Sequence, residues 1–208
     1  MNLTSGAFAF EALHVGVNNL RDHAKLDRYA ESRHGWEIGL ANAVESGEFP
    51  GQKRVYLIKT GQGGSIATQW AETSPYWAKF VQRIDAAGPQ LPERRQWVVW
   101  LSLGINDAIR KTPLPEWKQD VVGYLGRIKT KLPGAVIVMT QFQSMGYEST
   151  NEAIAQVAAS EKDVVAVPAN DASLIDSNHW DYAGLKTMAK RMAEATKAAL
   201  AKRLAAAK

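Results

Sequence analysis

The sequence predicts an α/β fold, specifically a three-layer α/β/α domain built on a doubly wound, mostly parallel sheet. Two observations support this prediction. Short apolar runs alternate along the chain with longer segments of helical periodicity, which is the order that helical crossovers between parallel strands require. The runs are also almost continuously hydrophobic, as expected for strands buried on both faces. A chain of 208 residues can bury one substantial core, so we expect a single domain over residues 1–208.

The predicted strands are rich in β-branched and aromatic residues. They are KRVYLIK (53–59), QWVVWLSL (96–103), AVIVMTQ (135–141) and DVVAVPA (163–169). Along the second of these runs, alternate side chains should face opposite sides of the sheet, and helices should cover both sides. One set consists of Trp97, Val99 and Leu101, and the other of Val98 and Trp100.

Helical segments precede, separate and follow these runs. Segment 74–88 has Ser74 as its N-cap and Pro75 at the first helical position. Segment 149–160 opens with the capping-box pattern of Ser149 and Glu152. The other predicted helices cover 34–47, ending at Gly47, 115–134, ending at a Pro-Gly stop, and 182–206 at the C-terminus. Residues 1–33 are expected to be an irregular N-terminal segment.

Composition excludes several kinds of site. The chain has no cysteine, which excludes disulfides, thiolate metal sites and cysteine nucleophiles. Its 4 histidines have neither the i, i+4 nor the His-x-His spacing of a metal site, so we expect no metal. The net charge of +4 is modest, and the basic C-terminal residues fit a solvated helix face better than a nucleic-acid surface.

The sequence also carries expectations about location. It shows no signal peptide and no apolar stretch long enough to span a bilayer. We therefore expect a soluble domain with neither nucleic acid nor membrane as a partner. The compartment stays open, and an extracellular or virion-associated location is compatible with the sequence.

Polar and glycine-containing loops follow three of the predicted strands. In doubly wound sheets ligands bind beyond the carboxyl ends of the strands. Gly63 and Gly64 lie in the loop after the first strand, Asn106 lies in Gly-Ile-Asn-Asp after the second, and Asp176 precedes His179 after the fourth. Each feature also has an ordinary structural explanation: a flexible turn, a cap of the following segment, and a helix cap with a polar turn.

Together these residue types suit acyl transfer. A carboxylate on imidazole Nδ1 fixes the tautomer and leaves Nε2 to take a proton from a hydroxyl nucleophile. Backbone N–H groups and an asparagine amide can stabilise the oxyanion that develops when the hydroxyl attacks an ester.

The order of these motifs resembles blocks two, three and five of the SGNH hydrolases, also called GDSL esterases and lipases. The flanking stretches HGWEIGLANAV, VYLIKTGQGGSIATQW, VVWLSLGINDA and DSNHWDYAGLKTMAKRM are similar to the sialate O-acetylesterase-like carbohydrate esterases, over about residues 34–192. The resemblance implies that Gly63 or Gly64 and Asn106 form the oxyanion hole. It implies that Asp176 and His179 activate a serine, and that no metal or organic cofactor is needed.

The serine block of that family is missing from this sequence. In the family the serine stands in Gly-Asp-Ser or Gly-Gln-Ser-Asn, directly after a central strand that precedes all the other blocks. Ser5 follows no apolar run, and Ser65 follows the glycines but resembles an N-cap, so the nucleophile is not identified. The first strand would then be supplied by another chain or segment, replaced by residues 7–15, or made unnecessary by a rearranged sheet.

Two functions follow from these observations. The first is a carbohydrate O-acetylesterase with a serine hydrolase mechanism, acting on an acylated carbohydrate or polysaccharide as part of a longer or complemented protein. The alternative is a catalytically inactive SGNH-like module with a carbohydrate-binding or structural role, for example in a phage tail or cell-surface assembly. In that alternative Trp70, Trp77 and Trp180 would stack on sugar rings.

Overall fold

The computed structural model describes residues 9–10, 12–13, 35–49, 54–143 and 146–206. Within these ranges three parallel strands pair in the order β1-β2-β3. They are β1 (Val98–Leu101), β2 (Val136–Thr140) and β3 (Val164–Val167). The helices are α1 (Glu37–Glu45), α2 (Pro75–Ala87), α3 (Ile105–Ile109), α4 (Leu114–Lys131), α5 (Glu148–Ser160) and α6 (Tyr182–Ala206). The α/β class with a parallel sheet is confirmed.

Strand β2 is the centre of this sheet. It pairs with β1 from Val98 opposite Val136, and with β3 from Ile137 opposite Val164. All five of its residues are buried, because helices cover both faces and a strand occupies each side. The nearly unbroken apolar sequence of β2 follows from this position, since no side chain of the strand reaches water.

Helices α2, α4 and α5 form one layer. Their apolar side chains share a core cluster with Ile137 and Met139 of β2. In α4, Val121, Leu125 and Ile128 are fully buried at spacings of four and three residues, which place them on one face of the helix.

Helices α1 and α6 cover the other face of the sheet. Met188 and Met192 of α6 share a second core cluster with Val136 and Val138 of β2. Helix α1 lies against α6 at close range: a Cβ atom built on Gly39 would lie 2.2 Å from the Cβ of Ala189. The two layers and the sheet between them confirm the three-layer architecture.

The side chains of β1 alternate between the two faces. Trp97, Val99 and Leu101 pack against the cluster under α2, α4 and α5. Trp100 packs on the opposite side, where its indole N–H donates to Thr196 Oγ1 at 2.9 Å. The β1 residues are half-buried rather than fully buried, since within the described ranges β2 is the only strand that pairs with β1.

The predicted strand at residues 53–59 is wrong. Residue 53 lies outside the described ranges, and residues 54–60 pair with no strand within those ranges. Ile58 packs against the first core cluster, and the backbone carbonyl of Lys59 accepts a hydrogen bond from Arg83 at 3.0 Å. The hydrophobic pattern therefore identified a partly buried run, but a strand also needs a neighbouring backbone to pair with.

The helix boundaries depend on local caps. Ser74 Oγ accepts a hydrogen bond from the backbone N–H of Trp77 at 3.1 Å, which confirms Ser74 as the N-cap of α2. The predicted capping box of Ser149 and Glu152 is wrong, because α5 begins at Glu148 with Tyr147 as its N-cap. The C-terminal helix begins at Tyr182, as predicted. Most of the N-terminal segment 1–33, predicted to be irregular, lies outside the described ranges. No helix within those ranges is long and apolar enough to cross a bilayer.

The close packing of α1 on α6 yields a prediction about stability. Gly39→Ala should lower the free energy of unfolding by about 1–3 kcal/mol, because the added methyl group overlaps Ala189 and the two helices must separate. Gly126→Ala is the matched control, since no atom lies within 4 Å of the added Cβ. This control should raise stability by up to about 1 kcal/mol through helix propensity. Urea unfolding measures both, and equal stabilisation by the two substitutions would contradict the packing.

Candidate active site

The turn between β3 and α6 brings Asp176 and His179 together. The Nδ1 atom of His179 lies 2.8 Å from Oδ2 and 3.0 Å from Oδ1 of Asp176. Oδ1 of Asp176 also accepts the backbone N–H groups of Asn178 and His179, each at 2.8 Å. The imidazole is 76% exposed and the carboxylate 53% exposed, so the pair is open to a ligand.

The hydrogen bonds of this turn favour the ionised carboxylate. The N–H of Asn178 is the largest cause that lowers the pKa of Asp176, followed by the ring and the N–H of His179. A charged Asp176 holds the proton on Nδ1 and leaves Nε2 as the acceptor. No residue within the described ranges hydrogen-bonds to Nε2, so this atom is available as a base.

Asp181, rather than Asp176, caps the start of α6. Asp181 Oδ1 accepts the backbone N–H of Gly184 at 2.7 Å and the hydroxyl of Ser173 at 2.6 Å. These bonds lower the pKa of Asp181 below its usual value. Asp176 is therefore not needed to cap the helix, although it does organise the polar turn that contains His179.

Tyr147 stabilises this turn from the neighbouring loop. Its hydroxyl donates to Oδ1 of Asn178, which links the start of α5 to the turn after β3. The sequence analysis missed this contact. The only signal for it is the position of Tyr147 in the loop after β2, and a loop position does not identify a partner 31 residues away.

Helix α3 holds the glycine-containing turn against the sheet. Asn106 Nδ2 donates to the backbone carbonyl of Ser65 at 3.1 Å. The carboxylate of Asp107 accepts the backbone N–H of Ala67 at 3.1 and 3.2 Å.

Gly104 lets the chain turn into α3 with a φ of 131°, where a Cβ would lie only 3.1 Å from the indole nitrogen of Trp117. The sequence analysis missed the role of Asp107.

Asp107 is buried, with 2% of its surface exposed. Desolvation raises its pKa, and the N–H of Ala67 opposes this rise. A buried carboxylate at this position costs free energy when it is ionised. The carboxylate of Asp107, next to Asn106 in the sequence, is the acceptor that orders the glycine-containing turn.

Gly63 and Gly64 are exposed at the tip of this turn. Gly64 has a φ of 74°, in the left-handed region that glycine adopts without strain. No residue within the described ranges accepts a hydrogen bond from either N–H. These groups are therefore open to an anion. The side-chain amide of Asn106 can also donate to a ligand, because the carbonyl of Ser65 accepts only one of the two amide hydrogens of Asn106.

Parallel strands place the loops that directly follow them at one edge of a sheet. Asn106 follows β1 and His179 follows β3, and both strands run parallel to β2. Asn106 ties the glycine turn to the same edge through Ser65. The structure shows two groups. One contains Gly63, Gly64 and Asn106, connected through Ser65, and the other contains Asp176 and His179. Within the described ranges no hydrogen bond joins the two groups.

Ser65 is fully engaged in the fold. Its hydroxyl donates to the carbonyl of Gln62 at 2.8 Å and accepts the indole N–H of Trp70 at 3.1 Å. It is 6% exposed, and the N-cap of the following 3₁₀ turn (Ala67–Trp70) is Ile66 rather than Ser65. Ser65 is unsuited to attack an ester, and Ser5 lies outside the described ranges.

The tryptophans considered for sugar stacking are engaged in packing. Trp70 is buried. The ring of Trp77 stacks on that of Phe80 with 4.9 Å between centroids, and the centroids of Trp180 and Trp36 lie 5.6 Å apart. The part of the chain that the structure describes contains no group of three or more His, Asp or Glu side chains that could hold a metal ion.

Comparisons with known proteins indicate the family and the fold of this chain. A family model described as carbohydrate esterase, sialic acid-specific acetylesterase, matches residues 12–198. The solved structure of a protein from Arabidopsis thaliana covers 75% of this chain at 19% sequence identity and a TM-score of 0.65. This chain spans 65% of that protein's length, and the likeness supports the SGNH-like fold. A search of curated proteins found no match.

The turn of Asp176 leads to a prediction about pH. The amide proton signals of Asn178 and His179 should titrate together, with a midpoint below the ordinary aspartate value of 3.8, because both amides donate to this carboxylate. A depressed pKa means that the contribution to stability is present above 3.8 and is lost as pH falls through the lower value. Nuclear magnetic resonance measures the midpoint, and a midpoint above 3.8 would contradict the hydrogen bonds of the turn.

The buried carboxylate of Asp107 leads to a second prediction. Asp107→Ala should lower the free energy of unfolding by about 1–3 kcal/mol, because it leaves the N–H of Ala67 without an acceptor. Asp107→Asn should cost less, since its carbonyl oxygen can still accept. Because the pKa of Asp107 is raised, the stability of the native protein relative to Asp107→Asn should fall as pH rises above 3.8. Urea unfolding across pH tests this, and a rising difference would refute it.

Proposed function

The chain belongs to the sialic acid-specific acetylesterase family of carbohydrate esterases, and we propose that it removes O-acetyl groups from a sugar in a polysaccharide or glycoconjugate. The observation that carries the proposal is the Asp176–His179 pair, with its unpartnered Nε2, at the same sheet edge as Asn106. Ester cleavage by a serine hydrolase uses a base and an oxyanion donor of these residue types.

His179 is the general base and then the general acid in this proposal. Its Nε2 takes the proton of a hydroxyl nucleophile while the oxygen of that hydroxyl attacks the acetyl carbonyl carbon. Asp176 holds Nδ1–H and stabilises the imidazolium. Nε2 then returns the proton to the sugar oxygen as the bond from that oxygen to the acyl carbon breaks. Water, activated by the same nitrogen, releases acetate and restores the hydroxyl.

Asn106 and the glycine turn stabilise the oxyanion. The second amide hydrogen of Asn106 and the N–H of Gly63 or Gly64 point to no acceptor within the described ranges. Donors held in place before the reaction stabilise the developing charge without rearrangement. The bonds from Asn106 and Asp107 to residues 65–67 supply that rigidity.

The nucleophilic serine is proposed to come from another segment or another chain, together with a strand that pairs with β1. Three observations support this. Ser65 uses its hydroxyl in two hydrogen bonds within the fold, and no serine within the described ranges hydrogen-bonds to the ring of His179. β1 also pairs on one side only, within the same ranges.

A second candidate is a catalytically inactive module that binds carbohydrate or serves a structural role in a phage tail or cell-surface assembly. The engaged hydroxyl of Ser65 is the observation that favours it. An extracellular or virion-associated location would suit both candidates.

Ester turnover distinguishes the two candidates. The 208-residue chain alone should show little or no turnover of p-nitrophenyl acetate or acetylated sugars, because no serine within the described ranges hydrogen-bonds to His179. Adding an upstream segment with an apolar strand and a Gly-Asp-Ser or Gly-Gln-Ser-Asn turn should produce turnover. His179→Ala should then lower kcat by about 10³-fold or more, and Asn106→Ala by roughly 10²- to 10³-fold.

Asn170→Ala is the matched control for Asn106→Ala, since Asn170 is an exposed residue of the loop after β3. This control substitution should leave kcat unchanged. Ser65→Ala and Ser5→Ala are assayed in the chain alone. Substantial turnover by the chain alone that disappears in either variant would overturn the proposed origin of the nucleophile. No turnover in the complemented protein would favour the inactive module.

A further inference from the structure

Ile175 lies directly opposite His179 in the turn between β3 and α6. The backbone N–H of Ile175 donates to the carbonyl of His179 at 2.8 Å, and the preceding Leu174 forms an antiparallel bridge with Trp180. Opposite residues of an antiparallel pair present their side chains on the same face, with Cβ atoms about 4.5–5.5 Å apart. The turn therefore places the side chain of Ile175 beside the imidazole of the candidate base.

The neighbouring pairs of this turn have the same register. The backbone N–H of Asp181 donates to the carbonyl of Ser173 at 3.2 Å, and the hydroxyl of Ser173 donates to the carboxylate of Asp181 at 2.6 Å. Trp180, between the two pairs, packs against the second core cluster instead. Ile175 and His179 consequently face away from the core. Ile175 is 74% exposed and the imidazole 76% exposed.

The fold does not use the side chain of Ile175. It belongs to neither core cluster, and the hydrogen bond that it makes in the turn comes from its backbone, which any residue except proline could supply. It is the most exposed large apolar side chain within the described ranges. A single exposed apolar residue is ordinary on a protein surface, so its position opposite the base is the informative observation.

The chemistry of ester cleavage decides which part of a substrate meets Ile175. The acyl oxygen must lie at the oxyanion donors, Asn106 and the glycine-containing turn, whereas the oxygen of the leaving alcohol must come within hydrogen-bond reach of Nε2 of His179. The carbon atoms bonded to that oxygen then lie next to the imidazole and to Ile175. Contact there removes apolar area from water, which is favourable only for an alcohol that presents C–H groups.

We propose that Ile175 is a specificity-determining residue that packs against the C–H face of the sugar ring of the leaving alcohol. The assignment to the alcohol side rests on the proposed function, whereas the position of the side chain beside His179 does not. The substrate is then a sugar that carries the acetyl ester directly on a ring carbon, rather than on an open-chain polyol.

The test is binding of galactose and galactitol to the complete 208-residue chain, followed by nuclear magnetic resonance. The ring of galactose presents a face of C–H groups, and galactitol is the open-chain polyol with the same carbon skeleton. Galactose should produce saturable shifts of the amide signals of Ile175 and His179 and should bind at least about fivefold more tightly than galactitol. Ile175→Ala should weaken galactose binding about fivefold, and Ile175→Val should retain most of it.

Leu204→Ala is the matched control. Leu204 is 70% exposed, close to the value for Ile175, but it lies near the C-terminal end of α6, far along the helix from the turn. This substitution removes a comparable exposed apolar side chain and should leave galactose binding unchanged.

Equal binding of galactitol would show that the ring face is not recognised, and shifts at Gly63 and Gly64 without shifts at Ile175 would place the ring on the acyl side. Either result overturns the proposal, as does an equal loss in Leu204→Ala or the absence of saturable galactose binding. A native spectrum of Ile175→Ala establishes that the variant is folded. The assay contains no ester and needs no nucleophile, so its failure is separate from a failure of the proposed esterase activity.

Discussion

The burial of β2 on both faces and both sides is the constraint on which the rest of the structure depends. Its residues contact α4 and α5 on one face and α6 on the other, while β1 and β3 pair along its two sides. Because both pairings are parallel, the loops that follow the strands emerge at the same edge. Asn106 follows β1 and Asp176 and His179 lie in the turn between β3 and α6, and in the proposed function these loops act together.

The sequence predicted those parts of the fold that depend on local pattern. Continuous hydrophobicity identified β1, β2 and β3, and Ser74 identified the start of α2. Residues 54–60 have the same hydrophobic pattern but no strand pairing, because pairing depends on what lies beside a run and not on its own residues. The capping box predicted at Ser149 is wrong for a related reason. The residues fit the pattern, but the helix begins one residue earlier, at Glu148.

The candidate site shows the same division. Asp176 and His179 were predicted to meet because three positions separate them and one turn contains both. The contacts that hold the site in place were not predicted. Asp107 reaches Ala67 across 40 residues, and Tyr147 reaches Asn178 across 31, so only the folded chain brings them together. The engagement of Ser65 by Trp70 likewise depends on the conformation of the turn rather than on the residue types.

The turn of Asp176 has a consequence for how an active assembly would form. All the hydrogen bonds to the carboxylate come from residues 176–179, and Tyr147 holds the turn that contains them through Asn178. The proton-accepting half of the machinery is then organised in advance of its reactive partner. If the proposed complementing segment supplies the serine, it would meet a turn that is already ordered, and the onset of activity would follow the rate of docking. Turnover would accordingly rise with the concentration of the complementing element rather than after a slow conformational lag.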